Sequence, residues 1–238
     1  PNYLHDAHIR FGLRYGADVI CEKPLVLNPW NVEALEEIEQ ETQKKIYNIL
    51  QLRLHPSILS LKKRIEATAS EKSFEIKLTY LTGRGNWYYS SWKGDQSKSG
   101  GIATNIGIHF FDMLLWIFGA VKNSIVHIHT HDRAAGYLQL ERANVKWFLS
   151  INKDLIPTGQ NVHRSLEIEG EQIDFSSGFE DLHTKSYKNI IRDKGFQTKV
   201  TKPSIRLAHQ IRNASISDHV INQHELCEKE CTKHPFQR

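Results

Sequence analysis

Cysteine, methionine and long apolar runs are all scarce in this sequence. Three cysteines in 238 residues, an odd number, argue against the paired disulfide framework of a small secreted protein. The longest apolar stretch, residues 106–121, contains a histidine and an aspartate and is too short to span a bilayer. No signal peptide is visible. These absences predict a cytoplasmic protein with no membrane partner.

Blocks of like charge are missing as well. Charged residues make up 24% of the chain, both signs are interspersed, and the formal net charge is +4. The hydrophobic content of 39% is enough for one large or two modest domains with a real core. The mild positive balance suits a small anionic substrate and is weak evidence for nucleic acid, so no nucleic-acid partner is predicted.

The chain begins with proline rather than methionine, inside an alternating pattern. Residues 4–15 have the apolar spacing of a helix and residues 17–21 form a short buried strand. Asn28-Pro29 opens a second helix, residues 45–52 look like a second strand, and His55-Pro56 opens a helix to about residue 67. This order predicts a parallel, doubly wound sheet. Because the chain enters that pattern in the middle of a β/α unit, we expect an N-terminal segment to be missing.

The pattern changes near residues 54–72. A strand starts at Phe74, a polar and aromatic loop covers residues 82–101, and a helix covers 102–118. Four or five strands follow, at 125–130, 137–140, 145–151, 165–169 and 172–175, and then two helices at 179–192 and 204–214. Successive strands indicate a mostly antiparallel sheet. We predict an α/β chain with part of a parallel-sheet domain at 1–54, a second α+β domain with an open, mostly antiparallel sheet at 55–214, and a disordered or loosely packed tail at 215–238.

A pair of opposite charges and a proline, Glu22-Lys23-Pro24, ends the first buried strand. Ligands of open α/β sheets bind beyond the carboxyl ends of the strands, and Lys23 lies at such an end. A lysine held there can donate a hydrogen bond to a substrate oxygen or stabilise a developing alkoxide. The alternative is a surface lysine salt-bridged to a neighbouring glutamate. This segment alone leaves both interpretations open.

A second set of polar residues follows the Gly100-Gly101 pair. Four side chains at helical spacing share one face of the predicted 102–118 helix: Asn105, His109, Asp112 and Trp116. The rest of that helix is strongly apolar, so polar groups on it are either satisfied or functional. Histidine is the side chain that gains and loses a proton most readily near neutral pH. The alternative is a core histidine capped by Asp112.

Two groups of histidines and cysteines have the residue types of metal sites. The first alternates along a strand and the second would share one helical face: His127, His129 and His131, then His224, Cys227, Cys231 and His234. The first group lacks a carboxylate or cysteine partner. The second does not have the spacing of a zinc finger and lies in a polar tail. We therefore predict no metal site.

Three stretches together resemble the Gfo/Idh/MocA oxidoreductases. Glu22-Lys23-Pro24 resembles the E-K-P motif, residues 51–56 resemble Q-x-R-x-H-P, and residues 100–112 resemble G-G-x-x-x-[D/N]-x-G-x-H-x-x-D. The resemblance reaches from Pro1 to about Asn213. Residues 84–119 resemble the branch that oxidises UDP-N-acetylglucosaminuronic acid at C3 for bacterial surface polysaccharide, which has asparagine at the position of Asn105.

This resemblance implies a dehydrogenase that uses NAD or NADP, with a Rossmann domain, here incomplete, and a nucleotide-sugar substrate held between two domains. His109 would take the hydroxyl proton while Lys23 holds the same oxygen and stabilises its charge. Asn105 would orient the sugar. The positions that approach the nicotinamide and its ribose correspond to Pro1, Asn2, His5, Glu22 and Lys23, and Arg53 corresponds to a position near sugar and nicotinamide.

The loop at residues 84–93 has its own physical interpretation. Arg84 and Lys93 can bind diphosphate or carboxylate, and aromatic rings beside them can stack on a uracil or sugar ring. The predicted substrate-binding residues are Arg84, Trp87, Tyr88, Ser91, Trp92, Lys93, Asn105 and His109. Basic and aromatic residues also interleave in single-stranded nucleic-acid sites, but one short loop is too little for that.

The glycine-rich dinucleotide fingerprint and its acidic residue are absent from this sequence. Two alternatives therefore stay open: a family member that acts on another sugar or cyclitol, and a non-catalytic fragment or binding protein without a working cofactor site. The family usually packs its second-domain sheets face to face. Alternation along residues 126–131 gives both sheet faces something to cover, so we expect a homodimer or homotetramer.

Overall fold

The structure is a computed structural model that describes residues 1–175 and 177–236. Its first unit contains helix α1 (His5–Arg14), strand β1 (Val19–Cys21), helix α2 (Pro29–Thr42), strand β2 (Ile46–Asn48) and helix α3 (Pro56–Glu66). β1 and β2 pair in parallel, with Val19 opposite Ile46. Both strands end two to three residues before segments of interest, Lys23 after β1 and Gln51 after β2. The carboxyl ends of this small sheet therefore mark the edge where a site is expected.

The second unit is built on a six-stranded sheet. Its strands are β3 (Phe74–Thr82), β4 (Val121–His129), β5 (Arg133–Leu140), β6 (Ala143–Ser150), β7 (Val162–Ile168) and β8 (Glu171–Ile173), in the order β4-β5-β6-β3-β7-β8. The β3–β6 pair is parallel and the other pairs are antiparallel. The predicted fold class, a parallel sheet followed by a mostly antiparallel one, is confirmed.

The helix predicted at 102–118 is broken, and the preceding segment is not a simple loop. Residues 82–118 contain four helices: α4 (Asn86–Ser90), α5 (Gln96–Ser99), α6 (Gly101–Asn105) and α7 (Ile108–Phe118). α5 and α6 together meet α7 at a bend of 43°. A Cβ on Gly107 would lie 2.7 Å from Phe111 and 2.8 Å from Leu149. Gly107 lies at this bend, and only a residue without a Cβ fits so close to α7 and to the sheet.

The chain after the large sheet packs against the first unit again. Helix α8 (Leu182–Ile191) is followed by strand β9 (Phe196–Gln197) and helix α9 (Thr198–Asn213). β9 pairs antiparallel with β2 and completes a three-stranded sheet, β1-β2-β9. The helix predicted at 204–214 thus begins six residues earlier and contains Pro203. Buried Thr198 and Thr201 pack this early part of α9 against the protein, so tertiary contacts override the local preference of proline.

The centre of the tail packs against the large sheet, which corrects the prediction of a disordered or loosely packed segment there. Most of the other tail residues are exposed, and residues 237–238 lie outside the described residues. A 3₁₀ turn at Glu225–Glu228 lies on the outer face of the large sheet. His224 is 1% exposed, is hydrogen-bonded to Thr79 at 2.8 Å, and lies against the Phe148 ring. These contacts between residues far apart in sequence explain why local composition predicted disorder.

Among the described residues no single helix is long and apolar enough to cross a membrane. The bent pair Gln96–Asn105 and Ile108–Phe118 reaches that length and apolarity only when taken together.

Candidate active site

A cavity of about 250 Å³ opens between the two sheets. It lies beside the ends of β1 and β2, the α6–α7 bend and the inner face of β3 and β7. The described residues that line it are Lys23, Gln51, Leu52, Tyr80, Arg84, Tyr88, Lys93, Asn105, Ile106, His109, Phe110, Arg164, Phe175 and Phe179. Both predicted catalytic residues are in this set, although they come from different units and stand 86 positions apart in the sequence.

Lys23 reaches across from the first unit to the second. Its Nζ donates to the Asn105 carbonyl at 2.8 Å, and the Lys23–Pro24 peptide bond is cis. Burial lowers the pKa of Lys23 to about 8, opposed by the negative charge of Glu22. Glu22 itself pairs with His183 at 3.1 Å. The structure therefore does not support the alternative of a lysine held by a neighbouring glutamate.

His109 lies in the first turn of α7 and faces the cavity. Burial lowers its pKa well below the usual value, and the positive charge of Lys23 lowers it further. Within the described part of the chain its Nδ1 has no hydrogen-bond partner. The alternative of a histidine capped by Asp112 is wrong, because the Asp112 carboxylate accepts two hydrogen bonds from Arg53, at 2.7 and 2.8 Å.

Asn105 is the centre of a hydrogen-bond network that joins the two units. Its Nδ2 donates to the Tyr88 hydroxyl at 3.3 Å, and its Oδ1 accepts from Asn2 at 3.2 Å. Asn2 also donates to the Ser99 carbonyl at 2.8 Å and is 5% exposed. Asn105 lies in α6, before the bend, so it does not share one continuous helix face with His109 as predicted.

The substrate residues predicted in the 84–93 loop divide into two groups. Arg84, Tyr88 and Lys93 line the cavity, whereas Trp87, Ser91 and Trp92 do not. Trp87 is 53% exposed, and its ring and that of Trp92 lie 5.4 and 5.7 Å from the Lys93 ammonium. These cation–π contacts help to fix the position of the Lys93 ammonium. Direct stacking of Trp87 or Trp92 on a ligand in this cavity is therefore not supported.

Arg53 departs most clearly from its predicted role near a cofactor. Its guanidinium is held by Asp112, donates to the Val200 carbonyl at 3.2 Å, and lies over the Trp116 and Phe196 rings. It is 6% exposed and does not line the cavity. Arg53 thus ties the first unit to α7 and α9, and this corrects the prediction of a direct contact with sugar or nicotinamide.

The other residues predicted to approach a nicotinamide lie around β1 and the chain start. His5 Nδ1 donates to the Pro24 carbonyl at 2.8 Å, and burial lowers the pKa of that imidazole. Pro1 and Glu22 are exposed. None of these residues lines the cavity itself except Lys23. Sequence reasoning missed four cavity residues that no motif covers: Tyr80, Arg164, Phe175 and Phe179. Gln51 begins the motif at residues 51–56 but was not predicted as a site residue.

The two histidine-rich groups are not assembled as metal sites in the described residues, where no cluster of three or more histidine, cysteine, aspartate or glutamate ligands is found. His127 lies at a register shift of β4, which breaks the simple alternation with His129. His224 is hydrogen-bonded to Thr79, and His234 instead contacts the rings of Tyr89 and His131.

Two family models cover most of the chain. Residues 1–49 match the NAD-binding Rossmann fold of the Gfo/Idh/MocA oxidoreductase family, and residues 72–194 match its C-terminal alpha/beta domain. The chain belongs to the Gfo/Idh/MocA oxidoreductase family, which confirms the resemblance found in the sequence.

Several solved structures of WlbA dehydrogenases are similar to this chain. The chain is 45% identical to the WlbA (WbpB) dehydrogenase from Thermus thermophilus, solved with NAD and alpha-ketoglutarate, with a TM-score of 0.90 over 94% of this chain and 74% of that one. The complex of that enzyme with NAD and UDP-GlcNAcA is also 45% identical, with a TM-score of 0.87 over 91% of this chain and 71% of that one. The WlbA dehydrogenase from Bordetella pertussis shares the fold at 19% identity, with a TM-score of 0.74 over 89% and 73% of the two chains.

A curated relative, YteT of Bacillus subtilis strain 168, is 26% identical over 117 residues. The match covers 48% of this chain and 27% of the length of YteT.

Proposed function

We propose that this chain acts in an NAD-dependent dehydrogenase that oxidises the C3 hydroxyl of a UDP-linked N-acetyl-hexosaminuronic acid, a step in surface polysaccharide synthesis. The observation that carries the proposal is the meeting of Lys23 and His109, from separate units, in one cavity that also contains Arg84 and Lys93. The 45% identity to a Thermus thermophilus dehydrogenase solved with NAD and UDP-GlcNAcA supports the choice of substrate.

His109 and Lys23 have complementary protonation states for this chemistry. His109, with its lowered pKa, is neutral at pH 7 and accepts the C3 hydroxyl proton at a ring nitrogen. Lys23, with a pKa of about 8, remains mostly charged and donates a hydrogen bond to the same oxygen. The O–H bond breaks toward histidine, the C3–O bond becomes a carbonyl, and the C3–H electron pair leaves as hydride. When bound, NAD supplies the acceptor for that hydride.

The described residues fit the nicotinamide end of such a cofactor. Gln51 and Lys23 follow the carboxyl ends of two parallel strands and line the cavity, which is where doubly wound sheets bind dinucleotides. Pro1, Asn2, His5 and Glu22 surround the same edge and would hold the nicotinamide and ribose. Arg53, which is held in an ion pair with Asp112, is left out of this proposed set. The sequence has no glycine-rich turn for the cofactor phosphates, and the choice of NAD over NADP rests on the relatives.

Asn105 and the basic residues complete the proposed substrate site. Asn105, held by Asn2 and Tyr88, would orient the sugar ring through its amide. Arg84, which is exposed, and Lys93 would bind the diphosphate near the cavity mouth. A free sugar or cyclitol has no group that needs these two cations, so the 84–93 loop favours a nucleotide-linked substrate.

The test follows NADH formation with UDP-GlcNAcA, with other UDP-sugars and with free sugars. We expect turnover on UDP-GlcNAcA and a loss of about 10²–10⁴-fold in kcat for His109→Ala, the range for a general base. Lys23→Ala is expected to abolish turnover similarly. The controls are His219→Ala and Lys63→Ala, which remove exposed side chains of the same types. Activity on free sugars alone, or turnover that survives both site changes, would contradict the proposal.

We also propose an oligomer, at least a dimer, formed through the large sheet. The tail packs on the outer face around Thr79, Leu81, Ala135 and Phe148. On the same face Lys77 pairs with Glu167 and with Glu225 of the tail, and the Tyr137 hydroxyl donates to Asn144. Light scattering of the purified protein tests this proposal, and a clean monomer at micromolar concentration would refute it.

A further inference from the structure

An arginine that no motif predicted stands on the cavity wall. Arg164 lies on β7, opposite Tyr80 of β3 in the antiparallel ladder. Its guanidinium carbon is 4.5 Å from the centre of the Phe179 ring and 5.6 Å from that of Tyr80. These contacts with aromatic rings orient the guanidinium and leave its N–H groups free for a ligand.

Arg164 is also the exception among the arginines of this protein. Among the described residues, every other arginine side chain that is not exposed is hydrogen-bonded to a side chain or carbonyl: Arg10, Arg53, Arg133, Arg142 and Arg212. Across residues 1–175 and 177–236, no hydrogen bond or ion pair to Arg164 is found. A half-buried charge without a partner is unfavourable, so an anion supplied from outside the chain would be stabilised there.

The rest of the cavity has the same sign of charge. Lys23, Arg84 and Lys93 line it with Arg164, and its described lining contains no carboxylate. Arg164 lies near the catalytic end, because the Tyr80 ring beside it is 4.9 Å from the ring of Phe110, the neighbour of His109 in the sequence. Its positive charge, like that of Lys23, lowers the pKa of His109. Arg84 is exposed and belongs, with Lys93, to the loop at residues 84–93. The cations of the cavity thus come from different elements, Arg164 from β7 and Arg84 and Lys93 from the 84–93 loop.

A nucleotide-linked uronic acid carries two separate anions, a diphosphate on C1 and a carboxylate on C5 of the sugar. We propose that Arg164 recognises the sugar carboxylate and sets the specificity for a uronic acid, while Arg84 and Lys93 bind the diphosphate. This inference rests on the proposed function and adds the residue that selects the substrate. The planar guanidinium fits a carboxylate in bidentate fashion, and the neutral sugar would leave it unpaired.

The experiment measures binding by calorimetry to UDP-GlcNAcA, to UDP-GlcNAc, which has a hydroxymethyl group in place of the carboxylate, and to UDP. We expect the unchanged protein to prefer the uronic acid by about ten- to a hundredfold, the range for a hydrogen-bonded charge pair. Arg164→Gln should reduce that preference to about threefold or less, while affinity for UDP-GlcNAc and UDP is unchanged. Arg164→Lys should restore only part of it, because lysine lacks the fork.

Arg84→Gln is the matched control and should weaken all three ligands by a similar factor. Circular dichroism checks that each variant is folded. If the unchanged protein prefers the uronic acid and Arg164→Gln retains that preference, the role of Arg164 is refuted and the proposed function stands. If the unchanged protein binds the two sugars equally, Arg164 is not a specificity residue. If it binds no UDP ligand at all, the proposed function fails and this inference fails with it.

Discussion

Two arginine–carboxylate pairs in this protein have similar donor–acceptor distances and very different surroundings. Arg53 binds Asp112 with two bonds of 2.7 and 2.8 Å, and Arg64 binds Glu171 with two bonds of 2.9 Å. The side chains of the first pair are 7% and 3% exposed, and those of the second are 46% and 62% exposed. Replacing each arginine by alanine therefore compares the free energy of unfolding lost with a buried pair and its neighbouring contacts with that lost with an exposed pair.

The expected losses differ severalfold. Removing one partner of a buried pair costs about 3–5 kcal/mol because the other charge is left uncompensated. Removing one partner of an exposed pair costs about 0–1 kcal/mol. For a chain of this size, 1 kcal/mol shifts the midpoint of thermal unfolding by about 2–4 °C. Arg53→Ala should therefore lower the midpoint by roughly 6–20 °C and Arg64→Ala by less than about 4 °C.

The pH dependence of Arg53→Ala provides a second check. Burial raises the pKa of Asp112, and the hydrogen bonds from Arg53 oppose that rise. Without the arginine the folded protein holds the Asp112 proton more tightly than the unfolded chain does. The stability of the variant relative to the unchanged protein should therefore fall as pH rises from about 4, the ordinary carboxyl value.

Urea denaturation and thermal unfolding, both followed by circular dichroism, measure these differences. Asp112→Leu combined with Arg53→Met tests the opposite case, because an apolar pair of similar volume needs no charge compensation. We expect that double variant to be more stable than Arg53→Ala. If Arg53→Ala and Arg64→Ala lose the same free energy within about 1 kcal/mol, burial does not decide the strength of the pair and the reasoning is wrong.

Three further predictions concern the site, the sheet and the tail. With a Lys23 pKa of about 8, kcat/KM should fall as pH rises through that value, and Lys23→Arg should shift the fall to higher pH; an unchanged profile would contradict the role of Lys23. Gly136→Ala should lower the free energy of unfolding by about 3 kcal/mol or more, because its Cβ would lie 2.2 Å from a carbonyl oxygen of the neighbouring strand. Gly159→Ala, in open space at a φ of +83°, should lower it by only about 1–2 kcal/mol, and equal losses in urea denaturation would refute this. His224→Ala should release the tail from Thr79 and speed its cleavage by a protease at low concentration, and unchanged cleavage would show that this contact does not hold the tail.

Local sequence patterns predicted most of the helices and strands. They failed for the elements whose structure depends on contacts between residues far apart in the sequence. The alternation from Phe74 identified β3, and Glu22-Lys23-Pro24 identified the carboxyl end of β1, because both signals depend on neighbouring residues. β9 has two residues, Phe196 and Gln197, and is stabilised by pairing with β2, about 150 positions earlier. The bend at Gly107 depends on the approach of Leu149. No window of sequence contains both partners of either contact.

The same reasoning explains why Arg53 and Arg164 were not distinguished in the sequence. A motif position predicted that Arg53 faces a ligand, and no motif mentioned Arg164. In the folded chain the carboxylate of Asp112, 59 positions away, occupies Arg53, whereas aromatic rings flank Arg164 and neutralise none of its charge. An arginine becomes available to a ligand when the fold supplies it with packing partners but no counter-ion. The partners of each arginine therefore indicate which cation serves the fold and which one serves the substrate.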